Sequence, residues 1–240
     1  MARNISKPEE RPGGAGAAAR FAELGGVFLA DIHDLISRLA RVRALVFDWD
    51  GVFNLGAKSQ DSDSGFSEAD SMGTNMLRYG LWRRDAELPV AAIITGADNA
   101  TAESFAAREH FHAVFRGVAN KREAIDVLCE LHDLEHGQVA CLFDDINDLG
   151  MAAKCGARFL VRRAASPLLQ DFVARNDYCD YITAVQGDGF AVRECTELML
   201  GLMGAFDDVV HSRAAHDADY SRYFAARQAI ETELRDGSAR

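Results

Sequence analysis

Two aspartates, Asp48 and Asp50, break off an apolar run in the stretch LVFDWDGVFN (45–54), with Gly51 directly behind them. Carboxylates that close repel one another, and desolvation at the end of a buried strand raises the cost. A positive charge must sit with them, or one carboxyl must hold a proton. Further along, Thr95 and Gly96 close AAIITG, Lys121 follows GVAN, and Asp144, Asp145 and Asp148 follow VACLF. Together these residues supply carboxylates for a divalent cation, a hydroxyl and an ammonium for a phosphate, and one carboxylate free to attack. Hard oxygen ligands suit Mg2+, which takes one or two carboxylates and keeps waters and phosphate oxygens.

The elements that must position these groups follow from the hydrophobic pattern. Apolar runs at 44–48, 90–95, 113–117, 139–144, 157–161 and 179–183 predict strands. Helical periodicity at 98–109, 120–132, 147–155 and 165–175 separates most of them. The alternation predicts an α/β fold with a mostly parallel sheet covered by helices on both faces. Ligands in such sheets bind at the carboxyl ends of the strands, where every polar group named above falls. The interval GVFNLGAKSQDSDSGFSEAD (51–70) departs from the alternation and predicts a small β-hairpin flap over about 52–68, too short for a separate cap domain. Residues 1–20 mix proline, glycine, alanine and charge without a period and are expected to lack structure. Phe28, Ile32, Leu35, Ile36 and Leu39 share one helical face, predicting a single helix to about Arg41. The main domain reads as 21–206, ending in a helix over 188–206. A polar helix over 207–235 and a loose tail to 240 follow it.

Composition bounds the function. At 240 residues the chain suits one good-sized domain with modest appendages. Its formal charge of −11 argues against nonspecific binding to nucleic acid or anionic lipid. The longest apolar candidate, LMLGLMGAF (198–206), is too short to span a membrane, and no secretory signal is evident at the N-terminus. Five cysteines without a C-x-x-C spacing read as reduced core residues, Cys141 among them, of a cytoplasmic protein. His132 with His136, and His110 with His112, lack a third ligand and read as solvated faces. Tyr220 and Tyr223 read as a packing stripe.

D-x-D-G, then Thr, then Lys, then an acidic pair, each at a strand end, resembles the haloacid dehalogenase (HAD) superfamily of phosphatases. The resemblance covers about residues 42–200 and implies a Rossmann-like HAD fold. DWDGVFN, IITG, NKREAIDVL, DDINDL and GDGFAVREC look like the capless group typified by 3-deoxy-D-manno-octulosonate 8-phosphate phosphatase. Signalling receiver domains use similar groups, but there the acidic pair precedes the phosphoacceptor, the reverse of the order here. The resemblance implies an Mg2+-dependent phosphatase acting on a small phosphorylated sugar acid. Nonulosonate 9-phosphates or other sugar phosphates are alternative substrates, and a non-catalytic partner of a biosynthetic enzyme is the rival reading.

Residue by residue, the resemblance implies that Asp48 attacks phosphorus and that Asp50 serves as acid and then base. Mg2+ would lie among the Asp48 carboxylate, the Asp50 backbone carbonyl and Asp144. Thr95 and Lys121 would hold phosphoryl oxygens, and Asp145 or Asp148 would orient the metal's waters or the lysine. Gly51 would permit the turn beside the phosphate, with Asn54 and Gly96 close to substrate. Paired flaps would build a homotetramer in which QGDGFAVRE (186–194) reaches a neighbour's site. Gly187 and Gly189 would lend that segment flexibility, and Arg193 would meet the substrate's carboxylate or phosphate. The sequence departs from the group at Phe143 (usually glycine), Asn54 (usually threonine), Ser71 and Asp188 (both usually glycine).

Overall fold

Successive residues of a strand face opposite sides of its sheet, and here both sides are apolar because both are covered. Leu45, Phe47, Ala91, Ile93, Ala140 and Leu142 enter one core. Their neighbours Ala44, Val46, Ala92, Ile94, Val139 and Cys141 enter a second core across the sheet. A computed structural model describes residues 13–58 and 65–237. Its strands are β1 (Val27–Phe28), β2 (Ala44–Phe47), β3 (Val90–Ile94), β4 (Ala113–Arg116), β5 (Val139–Phe143), β6 (Ala157–Leu160), β7 (Tyr181–Ile182) and β8 (Glu233–Asp236). The helices are α1 (Gly14–Leu24), α2 (Ile32–Leu39), α3 (Glu68–Asp85), α4 (Ala100–Arg108) and α5 (Lys121–Leu131). They continue with α6 (Leu149–Ala152), α7 (Pro167–Arg175), α8 (Ala191–Leu202), α9 (Phe206–Ala215) and α10 (Ala218–Gln228).

The strands form one sheet in the order β1-β7-β6-β5-β2-β3-β4-β8. Every pairing is parallel except β1 with β7. From β2 the chain winds outward through β3 and β4, then returns to β5 on the other side of β2. The order therefore reverses between β2 and β5, which pair through Phe47 and Leu142. A crevice opens where successive crossovers diverge in this way. The two strands beside it, β2 and β5, each run directly into an aspartate, Asp48 and Asp144.

Helix α3 lies against α8 by virtue of glycine. A Cβ on Gly73 would press on Thr196 Oγ1 at 2.5 Å and on Arg193 Cα at 3.1 Å, and one on Gly80 would collide with the Leu200 side chain. The buried Asp70 fixes the register of the pair, accepting the Arg193 backbone N–H at 2.8 Å in the first turn of α8.

Several expected boundaries differ. Residues 14–20, expected to lack structure, open α1, which buries Ala17 and Ala18 and packs on α8. The single helix expected to about Arg41 is instead a two-residue strand followed by α2, capped by Asp31. The polar helix expected over 207–235 is α9, α10 and then β8, which pairs in parallel with β4. In the flap, the described residues 52–58 and 65–67 contain no strand, and 59–64 lie outside the described residues. The helix expected over 147–155 is shorter, a 3-10 turn at Ile146–Asp148 running into α6.

The segment after α8 is fastened by a buried polar network around Glu109. That carboxylate accepts from Ser71 Oγ at 2.8 Å, Asn75 Nδ2 at 2.6 Å, Arg108 Nε at 2.8 Å and Arg227 Nη1 at 3.2 Å. Ser71 is thereby a structural residue rather than part of a substrate grip. Burial works to raise the Glu109 pKa, but the bonds from Asn75, Ser71 and Arg108 outweigh it and hold the carboxyl below its usual range. Such a group stabilises the fold fully above its unfolded pKa, and the contribution is lost as pH falls through the lowered folded value. Glu109→Ala leaves Arg227 buried without its carboxylate and is expected to cost about 3 kcal/mol. Urea unfolding at neutral pH measures it, and a loss below about 1 kcal/mol would show the network to be passive.

Candidate active site

Asp48 follows β2 directly, its backbone N–H donating to Leu142 O at 3.0 Å, so the turn starts from a strand clamped to β5. Trp49 and Phe53 anchor the loop that follows, their rings 4.8 Å apart and packed on Phe105 of α4. Gly51 adopts φ +97°, open to glycine, and a Cβ there would collide with the Asp144 carboxylate. Asn54 ties the loop into a ring. Its Oδ1 accepts from the N–H groups of Gly56 at 2.7 Å and Gly51 at 3.3 Å, and its Nδ2 donates to Gly65 O at 3.0 Å. Its polar atoms are spent on backbone, so Asn54 shapes the loop instead of facing the cleft as expected.

The crevice at the switch point is a cleft of about 430 Å³ that gathers Asp48, Asp50, Thr95, Gly96, Lys121, Asp144, Asp145 and Asp148. Thr95 directly follows β3, buried, with its N–H on Phe115 O at 2.8 Å. Lys121 is the first residue of α5, behind an Asn120 cap, and its Nζ lies 2.5 Å from both Asp48 Oδ1 and Asp148 Oδ1. Asp148, which by its place in the sequence suits either a helix cap or a functional acid, closes the capping box of the 3-10 turn with one oxygen and takes Lys121 with the other. The capping oxygen accepts the Asp145 N–H at 3.2 Å and the Asp144 N–H at 3.4 Å. Asp145 is turned to Ile146 N–H at 2.7 Å. Phe143 buries its ring in the second core, and Asp144 still falls beside Asp48.

The electrostatics are those of crowded acids. Burial pushes the Asp48 carboxyl well above the usual range, and the charge of Asp148 adds to the shift against the pull of Lys121. Burial likewise raises Asp144, with Arg163 acting in the opposite sense. For Lys121 burial opposes the charge, but Asp48 and Asp148 more than offset it and hold the ammonium at about 12. Asp48, Asp144 and Asp148 bring ligand oxygens within 4.8 Å of one another, the one such group among the described residues. Three buried, hard, anionic donors fit Mg2+. The Asp50 side chain faces elsewhere, with Oδ2 on Lys58 at 2.8 Å and Oδ1 3.4 Å from Asn99 Nδ2.

Some expectations fall elsewhere. Arg193 pairs with Glu197 and is absent from the cleft lining. Gly187 serves close packing: a Cβ there would meet the carbonyl oxygen of Gly51 at 2.5 Å, so this segment braces its own D-x-D-G loop. His112 is half-buried, its Nδ1 accepting the Ala91 N–H at 3.1 Å, which differs from a solvated face. Three residues escape a reading of the sequence: Lys58, Asn99 and Arg163, which pairs with Asp144. The signal for Arg163 is its place, in the Arg162-Arg163 pair just past an apolar run on the edge that carries the other groups.

No protein-family model matches the chain. The 3-deoxy-D-manno-octulosonate 8-phosphate phosphatase KdsC of Escherichia coli K12 is 30% identical over 179 residues, 73% of this chain and 88% of its own. The solved 3-deoxy-D-manno-octulosonate 8-phosphate phosphatase of Yersinia pestis has 27% identity and a TM-score of 0.60, over 72% of this chain and 89% of that one. The Moraxella catarrhalis phosphatase of the same name, solved with magnesium, phosphate and KDO, has a TM-score of 0.62 over 76% and 99% of the two chains. At 22% identity its likeness shows the fold.

The Gly51 contact can be tested before any turnover is measured. Gly51→Ala is expected to abolish Mg2+ binding by calorimetry, because the new methyl displaces Asp144. Its positive φ should cost only about 1–2 kcal/mol of stability in chelator. Parent-like Mg2+ binding by this variant would refute the tight cradle.

Proposed function

The chain belongs to the KdsC family of HAD-superfamily phosphatases, and from that premise we propose that it hydrolyses the phosphate ester of a small phosphorylated sugar acid. The substrate of first choice is 3-deoxy-D-manno-octulosonate 8-phosphate, the compound named for its E. coli and Y. pestis relatives. The observation that carries the reading is the convergence of Asp48, Lys121, Asp144 and Asp148 in one cleft, with Asp50 and Thr95 on its walls.

In this proposal Asp48 attacks phosphorus in line and takes the phosphoryl group as an aspartyl-phosphate. Asp50 donates a proton to the leaving sugar oxygen, then removes one from the water that hydrolyses the acyl phosphate. Lys58 and Asn99 position the Asp50 carboxylate. Thr95 and Lys121 hold phosphoryl oxygens beside the Gly51 and Gly96 turns, and Asp148 aims the ammonium. Asp48 and Asp144, with the Asp50 carbonyl, would hold Mg2+, which when bound would neutralise charge at the phosphoryl oxygens. Asp145 and Asp148 complete the acidic surround. The rival reading, a non-catalytic partner protein, draws on Phe143 and Ser71, and both side chains are accounted for by packing away from the cleft.

The proposal includes a cytoplasmic homotetramer. Five buried, unbridged cysteines suit a reducing compartment. Arg193 is about a third exposed and would serve a neighbouring subunit's cleft.

Asp48→Asn is expected to remove turnover of 3-deoxy-D-manno-octulosonate 8-phosphate and of p-nitrophenyl phosphate alike. Residual activity within tenfold, about 1.4 kcal/mol of barrier, would discard the covalent route. Asp50→Asn should lose more rate on alkyl than on aryl esters, since aryl leaving groups need less protonation; equal losses would remove Asp50 as the acid. A panel including nonulosonate 9-phosphates ranks substrates by kcat/KM. Light scattering tests the tetramer, and a monomer at working concentrations would leave Arg193 without a site.

A further inference from the structure

We propose that Arg163 is a reserve anion-binding residue of the cleft. Asp144 holds it until a divalent cation takes that carboxylate, and the released guanidinium then binds an oxyanion of the substrate. The inference rests on the phosphatase reading and deepens it.

Among the described residues the cleft carries the carboxylates of Asp48, Asp50, Asp144, Asp145 and Asp148, set against the cations Lys58, Lys121 and Arg163. The three cations differ in what holds them. Lys121 is buried between Asp48 and Asp148. Lys58 is engaged by Asp50. The side chain of Arg163 is 36% exposed and pairs with Asp144, one of the three acids that form the cation-binding group. A guanidinium keeps its charge at every working pH, so it cannot yield this place by losing a proton. It yields by moving.

The surroundings allow that movement. Arg163 stands just past the end of β6, and its main chain is clamped. Its carbonyl accepts from Ser166 N–H at 3.0 Å and from Gln170 Nε2 at 3.1 Å, and the next N–H, of Ala164, donates to Gln186 Oε1 at 3.2 Å. The long side chain therefore pivots from a fixed base. Glycine at position 51 leaves it room there: a Cβ would lie 2.7 Å from Arg163 Nη2.

Cation and guanidinium compete for the same carboxylate. When Asp144 turns its charge to the metal, Arg163 is left at the wall of the cleft with a planar array of donors. That array suits a phosphoryl group or a carboxylate, each of which accepts paired N–H bonds.

Full-length parent, Arg163→Ala and Arg163→Lys are titrated by calorimetry with Mg2+ alone. Each is then titrated, at saturating Mg2+, with inorganic phosphate and with 3-deoxy-D-manno-octulosonate. Arg163→Ala is expected to bind Mg2+ about fivefold tighter, the effect of removing a half-exposed ion pair. It should bind one of the two anions about tenfold more weakly, with Arg163→Lys intermediate. Weakened phosphate binding assigns the guanidinium to the phosphoryl group, and weakened sugar-acid binding assigns it to the carboxylate. Mg2+ affinity unchanged or reduced in Arg163→Ala overturns the competition, and parent-like binding of both anions overturns the anion site. These titrations need no turnover. A parent that binds Mg2+ and phosphate yet hydrolyses no phosphate ester would reject the phosphatase reading while leaving the role assigned to Arg163 intact.

Discussion

Crowding of like charge at the ends of two adjacent strands is the constraint around which this molecule is arranged. β2 and β5 are neighbours in the sheet, and each runs from a fully apolar interior into aspartate. Carboxylates pressed together in a buried place are unstable without positive charge nearby. The protein answers in layers. Lys121 reaches in from the start of α5, Arg163 comes round from β6, and Lys58 comes from the far side of the D-x-D-G loop. A divalent cation supplies the rest. The groups that make the acids tolerable are also, by their chemistry, those able to grip an anion.

Much of this is legible in the sequence for a simple reason. A strand buried on both faces reads as an unbroken apolar run, and its carboxyl end is the first polar residue after it. Asp48, Thr95 and Asp144 stand out on that rule alone. What the sequence hides depends on neighbours distant along the chain. The pairing of Arg163 with Asp144 exists because β5 and β6 lie side by side. Gly187 reads as a flexible joint, yet it is a point of close contact with the carbonyl of Gly51. Asn54 looks available for substrate because no pattern in a loop reveals that its amide is already divided among backbone groups.

The segment beyond α8 is obscure for another physical reason. β8, with the sequence Glu-Leu-Arg-Asp, lies at the rim of the sheet, where little of it is buried and no apolar run is needed. Its position is secured from elsewhere, through the polar network that joins α10 to α3 and α4 by way of Glu109, Asn75 and Arg227. β1 is hidden equally well, because two residues are too few to show any period.

The placement of β1 and β8 bears on how the chain is made. In sequence one precedes and the other follows every interior strand, yet between them they occupy both rims of the sheet. During synthesis the half of the sheet around β5, β6 and β7 can close against β1 as soon as each piece emerges. On the other side β4 is complete by residue 116, but its outer hydrogen-bonding edge stays bare until residues 233–236 have left the ribosome. An unpaired parallel strand is a template for any passing extended segment. The nascent chain thus carries one sticky flank while the residues between 116 and 233 are added, and chaperones that shield exposed strand edges would be needed most in that interval.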